Sequence, residues 1–209
     1  MTEYNFAYLD EQTKRMIRRA ILKGLAIPGY QVPFASREMP MPYGWGTGGA
    51  RAFIDRVGFD KINFACDGGA SFAQAASLIE DPEDHSRVAQ YVAQYTRTVP
   101  DKLTETWDIL YALKDKGVAL HAITNWSAET WPEGIKVHPE LGEVFGTTVV
   151  SGQLGILKPS TEIYKTLCER AQVRPDQCVF IDDGLHNCLG ARAAGMDAIH
   201  FTGAADLRG

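Results

Sequence analysis

The second half of the chain alternates short apolar runs with longer segments that have a helical repeat. The apolar runs are VALHAIT at 118–124, TTVVS at 147–151, CVFID at 178–182 and DAIHF at 197–201. The segments with a helical repeat cover residues 102–116, 161–172 and 187–194. Short continuous apolar runs separated by helices are typical of a parallel sheet that is covered on both faces. Residues 100–209 are therefore predicted to form an α/β core.

The preceding zone, residues 51–99, has helical periodicity but no spacing that indicates catalysis. Its first two amphipathic stretches are separated by the glycine pair at 68–69. A third helix is predicted over 84–99, with an apolar face made of Val88, Tyr91, Val92 and Tyr95. This zone is interpreted as a small helical cap inserted before the α/β core.

Residues 1–50 differ from both later zones. A basic amphipathic helix is predicted over 11–25, and 27–49 contains too much proline and glycine for regular structure. The apolar run YNFAYL (4–9) ends at Asp10. Asp10 has two interpretations: it is the N-cap of the helix that follows, or it is a carboxylate nucleophile at the end of a strand.

Composition narrows the classes of partner and location. The 209 residues carry a net charge of -5, which argues against nucleic acid or an anionic membrane as the main partner. The sequence has no apolar stretch of about 18–20 residues and no basic, apolar leader at its start. The four cysteines have no zinc or iron–sulfur spacing, which favours reduced thiols and a cytoplasmic location.

Polar side chains follow the predicted strands where a parallel α/β sheet binds its ligands. They are Thr124 with Asn125, Lys158 before a proline, and the pair Asp182–Asp183. Taken alone, Thr124 also fits a turn cap and Lys158 a solvated cation. The adjacent carboxylates repel each other unless a cation is present, and a hard metal such as magnesium satisfies them with oxygen ligands.

In this order the clusters resemble the later motifs of the haloacid dehalogenase (HAD) superfamily of hydrolases. The motifs are Thr124 in LHAITNWSAETWP, Lys158 in SGQLGILKPSTEIY, and Asp182 with Asp183 in VFIDDGLHNCLGARAAGMDAIHF. The resemblance runs from about 51 to 207 and implies a Rossmann-like parallel sheet with a small helical cap.

The resemblance also implies a chemistry in which an aspartate attacks a phosphoryl group and water hydrolyses the aspartyl-phosphate. Thr124 and nearby amides would bind phosphoryl oxygens, Asn125 would belong to the same catalytic set, and Lys158 would neutralise nucleophile and phosphate. Asp182 and Asp183 would hold Mg²⁺. The aspartate pair favours a phosphatase-type site over that of a haloacid dehalogenase, although Gly184 departs from the serine or threonine expected there.

The nucleophile motif of the superfamily, an apolar strand ending in Asp-x-Asp or Asp-x-Gly, does not occur ahead of the cap. The stretch Asp10-Glu11-Gln12-Thr13 has the first acid, but Gln12 replaces the second. Residues 1–49 instead resemble the amino terminus of the catalytic subunit of carbon–phosphorus lyase, with its radical glycine at Gly29. Lyase activity is not expected, because the four cysteines do not form the required iron–sulfur cluster motif.

The chain is therefore interpreted as a join of two families, which removes the central strand of the hydrolase sheet. Residues 4–9 are the candidate replacement for that strand. Three hypotheses follow: a phosphatase of a small phosphorylated metabolite, an inactive remnant that binds phosphate or metal, and an interaction protein of phosphonate metabolism. The sequence indicates a small anionic ligand, without nucleic acid or membrane, and predicts no oligomeric state.

Overall fold

The computed structural model describes residues 47–99 and 104–200 of the chain. Within these ranges the apolar runs form four short strands, which are β1 (His121–Thr124), β2 (Thr147–Val150), β3 (Val179–Asp182) and β4 (Asp197–His200). β1 pairs with β2 and β3 pairs with β4, both in parallel, which confirms the predicted α/β fold. The strands are shorter than the apolar runs, because some residues at the ends of these runs lie in the adjoining loop or helix.

The two strand pairs remain separate in the described part of the chain. There, no strand pairs with the second edge of β1 or of β3, so two two-stranded sheets result. They share a buried core in which Ile123 of β1 and Ala198 of β4 belong to one apolar cluster, with Phe180 of β3 packed against it.

Seven helices accompany the strands in residues 104–200. They are α6 (Thr104–Asp115), α7 (Trp131–Val137), α8 (Glu140–Glu143), α9 (Ser151–Leu154), α10 (Thr161–Ala171), the 3₁₀ turn Pro175–Gln177, and α11 (Leu185–Ala193). α10 packs on β1 and β2, and α11 packs on β3 and β4. α10 begins where the Ser160 hydroxyl accepts a hydrogen bond from the Glu162 amide, and its buried stripe includes Ile163 and Tyr164.

Residues 47–99 are helical, as predicted. Their elements are α1 (Thr47–Val57), α2 (Phe59–Asp67), α3 (Phe72–Ala76), α4 (Pro82–Ala89), α5 (Tyr91–Gln94) and the 3₁₀ turn Tyr95–Arg97. They enclose a core of their own, in which the rings of Phe59, Phe72 and Tyr91 lie within 4.8 to 6.3 Å of one another.

The single helix predicted over 84–99 is wrong, because the segment is divided at Gln90. The division sends the apolar side chains to two different cores. Val88 packs in the helical core, whereas Tyr95 packs with Trp126 beside the α/β part, at a ring separation of 5.9 Å. One straight helix would present all four predicted apolar residues to the same neighbour.

The predictions for the first part of the chain lie outside the described residues. These are the strand at 4–9, Asp10 as cap or nucleophile, the helix at 11–25, the loop at 27–49 and the radical position Gly29. Among the helices that the structure describes, none has the length and apolar character required to cross a bilayer.

Candidate active site

The loop that follows β1 is tied to the loop that carries Lys158. Thr124 is the last residue of β1 and is buried, and Asn125 follows it. The Asn125 side chain makes two hydrogen bonds to the Lys158 backbone: Oδ1 accepts from N at 2.8 Å, and Nδ2 donates to O at 3.2 Å. The peptide bond between Lys158 and Pro159 is cis. Asn125 thus brings the first two predicted clusters together.

Lys158 and Asp182 form a buried ion pair. Lys158 Nζ donates to Asp182 Oδ2 at 2.7 Å, and each side chain is only 3% exposed. The ammonium also lies 5.5 Å from the centre of the Phe180 ring. Lys158 is therefore not the solvated cation that its position before a proline also allowed, and its charge is directed at the carboxyl end of β3.

The second carboxylate oxygen of Asp182 accepts hydrogen bonds from residues at the start of α11. Asp182 Oδ1 accepts from the Gly184 amide at 2.8 Å and from Asn187 Nδ2 at 2.9 Å. The Tyr164 hydroxyl of α10 donates to the Asn187 carbonyl at 2.7 Å, which fixes that residue in turn. Sequence reasoning assigned no role to Asn187, although it lies five residues after Asp182, on the first turn of the helix that the aspartates precede.

Asp183 lies beside this pair, and among the residues that the structure describes it forms no ion pair. Burial and, secondarily, the neighbouring Asp182 carboxylate hold the pKa of Asp183 above its ordinary value. The Asp183 carbonyl is close to a ring nitrogen of His200, with Nε2 at 2.9 Å. A positive charge beside Asp183 would therefore favour its ionised form, as expected for two adjacent aspartates.

The donor set fits a hard divalent cation. Asp182, Asp183 and Asn187 carry the candidate oxygen ligands, and Asn187 Oδ1 is buried with no hydrogen-bond partner among the described residues. In the part of the chain that the structure describes, no three acidic, histidine or cysteine side chains converge on one point. A magnesium ion bound here would take its remaining ligands from water, substrate or a residue outside that part.

A second set of contacts, which sequence reasoning missed, joins the helical zone to the loop after β1. The Asp67 carboxylate at the end of α2 accepts a hydrogen bond from the Ser127 amide. The Ser151 hydroxyl donates to the Asp67 carbonyl at 2.6 Å and accepts from the Trp126 amide at 2.9 Å. No motif signals these residues, since their relation depends on how the helical zone packs.

The structure thus gathers five of the predicted site residues at the carboxyl ends of β1 and β3. These are Thr124, Asn125, Lys158, Asp182 and Asp183. Asp10, the sixth, lies outside the described residues. The gathered set combines a cation and a hydroxyl group with two carboxylates, and in the described ranges no third carboxylate converges on them.

Two family models match the chain. The haloacid dehalogenase-like hydrolase model matches residues 66–201, and that of phosphonate metabolism protein PhnJ matches residues 2–98. The second match extends beyond residue 49, so residues 66–98 are covered by both. Alpha-D-ribose 1-methylphosphonate 5-phosphate C-P-lyase of Rhizobium meliloti is 56% identical over 106 residues, which are 51% of this chain and 35% of that protein.

The hydrolase resemblance is also found in individual proteins. Sesquiterpene phosphatase astK of Aspergillus oryzae is 31% identical over 94 residues, 45% of this chain and 47% of that protein. The chain therefore spans about a third of the lyase and about half of the phosphatase. A HAD family enzyme of Bacteroides thetaiotaomicron, solved with magnesium and inorganic phosphate, superposes with a TM-score of 0.58 at 22% identity, over 72% of this chain and 83% of that one.

The strand arrangement, the order of the polar clusters and a family match over well above half of the sequence agree. The chain belongs to the haloacid dehalogenase-like hydrolases, and it begins with a PhnJ-like segment.

Proposed function

We propose that the protein is a magnesium-dependent phosphatase that acts on a small phosphorylated metabolite. The observation that supports this best is the buried Lys158–Asp182 pair, tied through Asn125 to Thr124 at the end of β1. Such a pair is costly to bury, so its presence where parallel strands end is typical of a functional site. The curated phosphatase relative and the magnesium- and phosphate-bound structural relative agree with this assignment.

The charges of the site explain why the proposed reaction needs a metal. When both aspartates are ionised, two negative charges face the single positive charge of Lys158, so a phosphate dianion is repelled. Magnesium held by Asp182 and Asp183 would reverse that balance and bind a phosphoryl oxygen. Thr124 would donate its hydroxyl to a second oxygen, and Lys158 would stabilise the charge that develops during transfer.

We assign the nucleophile to Asp10, on the sequence grounds that residues 4–9 are an apolar, extended-compatible run that ends in this acid. Its carboxylate oxygen attacks phosphorus while the ester oxygen leaves, and water then cleaves the resulting acyl phosphate to return the carboxylate and inorganic phosphate. Gln12 stands where the superfamily places an acid that protonates the leaving group. Aryl phosphates, whose leaving groups need no proton, are therefore expected to react faster than alkyl phosphates.

Hydrolysis of p-nitrophenyl phosphate with magnesium tests this assignment. We expect turnover in the full chain, a loss of at least about a thousandfold in Asp10→Asn, and little change in Glu11→Gln, which removes the neighbouring acid. Equal rates in Asp10→Asn and the unmodified chain would rule out Asp10 as the nucleophile. Release of halide from a 2-haloacid without phosphate release would replace the phosphatase assignment with a dehalogenase one.

One observation favours a second candidate, a phosphate-binding protein without turnover. Lys158 is paired directly with Asp182, and within the described ranges no third carboxylate converges on them. A chain that raises its melting temperature in phosphate and magnesium, yet hydrolyses no phosphate ester, would support this candidate over the first.

A further inference from the structure

The turn between α2 and α3, residues 67–71, packs against the segment that precedes Lys158. A Cβ on Gly68 would lie 3.4 Å from Leu157 Cδ1, and one on Gly69 would lie 3.5 Å from Gly155 Cα. Leu157 directly precedes Lys158. The helical zone therefore lies next to the loop of the buried lysine, at a separation where an added Cβ would make ordinary van der Waals contact.

Asp67, at the start of this turn, contacts the loop after β1 with its side chain. Its backbone carbonyl is linked to the same loop through Ser151. The Asp67 carboxylate accepts from the Ser127 amide, and Asn63 Nδ2 donates to Asp67 Oδ2 at 3.1 Å. The Asp67 carbonyl accepts from the Ser151 hydroxyl at 2.6 Å, and that hydroxyl oxygen accepts from the Trp126 amide at 2.9 Å. Two consecutive amides after Asn125 are thereby fixed in direction.

We propose that Asp67 and Ser151 are positioning residues, which hold the loop after β1 in the shape that presents Thr124 and Asn125 to a phosphate-like anion. This inference rests on the proposed function, since it assumes that the loop binds an anion. It adds that the helical zone controls the anion affinity through contacts of Asp67 with the loop. A charged acceptor holds an amide more tightly than a neutral one, so the ionised form of Asp67 gives the tighter site.

The surroundings of Asp67 make this ionisation costly near neutral pH. Burial raises the pKa of Asp67 to about 7, against a smaller lowering by the Ser127 amide. The ionisable groups that interact with this region are Cys66 on the same helix, Glu129 from the loop after β1 and Tyr91 from α5, and none of the three is a cation. The Asn63 amide is the neutral donor that faces the carboxylate.

Stability and anion affinity should therefore change in opposite directions with pH. The folded pKa lies above the unfolded value, so the stability that Asp67 contributes is complete below about pH 4 and is lost as the pH rises through about 7. Anion affinity, in contrast, should increase by about fivefold over the upper part of that range, as the neutral acceptor becomes a charged one. If Asp67 had a purely structural role, its ionisation would change the stability with pH but would not raise the anion affinity.

Calorimetric titration with inorganic sulfate, at constant magnesium and from about pH 5.5 to about pH 8.5, tests the proposal. Sulfate remains a dianion over this range, so its own charge does not contribute to the profile. We expect the unmodified chain to bind about fivefold more tightly at the upper end. Asp67→Asn should keep the low-pH affinity throughout and should melt at a higher temperature than the unmodified chain near pH 8.5, because it has no buried charge to ionise.

Two further variants complete the design. Asp60→Asn makes the same substitution at an exposed position of α2, and should reproduce the unmodified profile. Ser151→Ala should weaken sulfate binding at every pH by about fivefold, and it serves alone if Asp67→Asn does not fold. Because every other ionisable group is the same in both chains, the difference between Asp67→Asn and the unmodified chain isolates the contribution of Asp67.

The outcomes separate this inference from the proposed function. A pH profile that survives in Asp67→Asn, a difference profile of opposite sign, or unchanged affinity in Ser151→Ala would overturn the positioning role while leaving the anion site intact. Failure of the unmodified chain to bind sulfate at any pH would overturn the anion site itself, and the positioning role with it.

Discussion

Replacing Lys158 with methionine is expected to lower the free energy of unfolding by about 3–5 kcal/mol at neutral pH, because it leaves the buried Asp182 carboxylate without its cation. The pair is enclosed on both sides, with 3% of each side chain exposed. The hydrogen bonds that Gly184 and Asn187 donate to Asp182 remain, but they do not supply a positive charge. Denaturant unfolding of the two chains measures the difference.

The same substitution should abolish phosphate binding, since the two aspartates then face the anion without the ammonium. Lys165→Met is the matched control, because Lys165 is an exposed lysine on α10. It should change the unfolding free energy by less than about 0.5 kcal/mol. A Lys158→Met chain as stable as this control would show that the ion pair does not form in solution.

Replacing Gly190 with alanine is expected to destabilise the protein by about 3 kcal/mol and to displace the lysine loop from α11. An added Cβ would lie 2.3 Å from the Pro159 carbonyl oxygen and 3.0 Å from its carbonyl carbon. These are backbone atoms directly after Lys158, so they do not move without moving the ion pair. Phosphate affinity should fall together with the melting temperature.

Gly142→Ala provides the comparison for this steric argument. At that position the nearest atom to an added Cβ is Ile135 Cγ2, 3.9 Å away, and the residue is exposed on α8. Alanine there should be neutral or should stabilise by about 0.5–1 kcal/mol through its higher helix propensity. If Gly190→Ala behaved like Gly142→Ala, the close approach of α11 to the lysine loop would be contradicted.

The parts of the site that the sequence predicts are those that depend on local pattern. The apolar runs end at Thr124 and Asp182, and in the parallel α/β fold that the sequence predicts, ligands bind beyond such strand ends. Lys158 lies between α9, which directly follows β2, and α10. Each of these relations follows from strand and helix periodicity together with chain order.

The parts that the sequence does not predict depend on packing between distant segments. Asn187 acts on Asp182 only because the first turn of α11 directs its amide there, and Asp67 acts on Ser127 across the interface with the helical zone. The division of the helix at Gln90 has the same origin, since Val88 and Tyr95 contribute to different cores. Apolar periodicity predicts a helix on each side of Gln90, but it does not show that the two helices pack against different cores.

The segment where the two family matches overlap packs against the loop after β1. Residues 66–98 match both family models. Within that region, the Phe72 amide donates to Glu129 Oε2 at 2.7 Å, and the Tyr95 ring packs on Trp126. The end of the PhnJ-like match therefore contacts the loop after β1 rather than forming a separate body.

Calorimetric titration of inorganic phosphate in the presence of magnesium, on the unmodified chain and on Thr124→Val, tests most directly whether the ends of β1 and β3 form one anion site. Valine keeps the buried shape of Thr124 and removes its hydroxyl, so the affinity should fall by about tenfold with little change in stability. Thr166→Val, which removes a hydroxyl that bonds the Glu162 carbonyl within α10, should leave the affinity unchanged. Saturable binding with this pattern is the result expected; equal affinities in Thr124→Val and the unmodified chain would contradict the account.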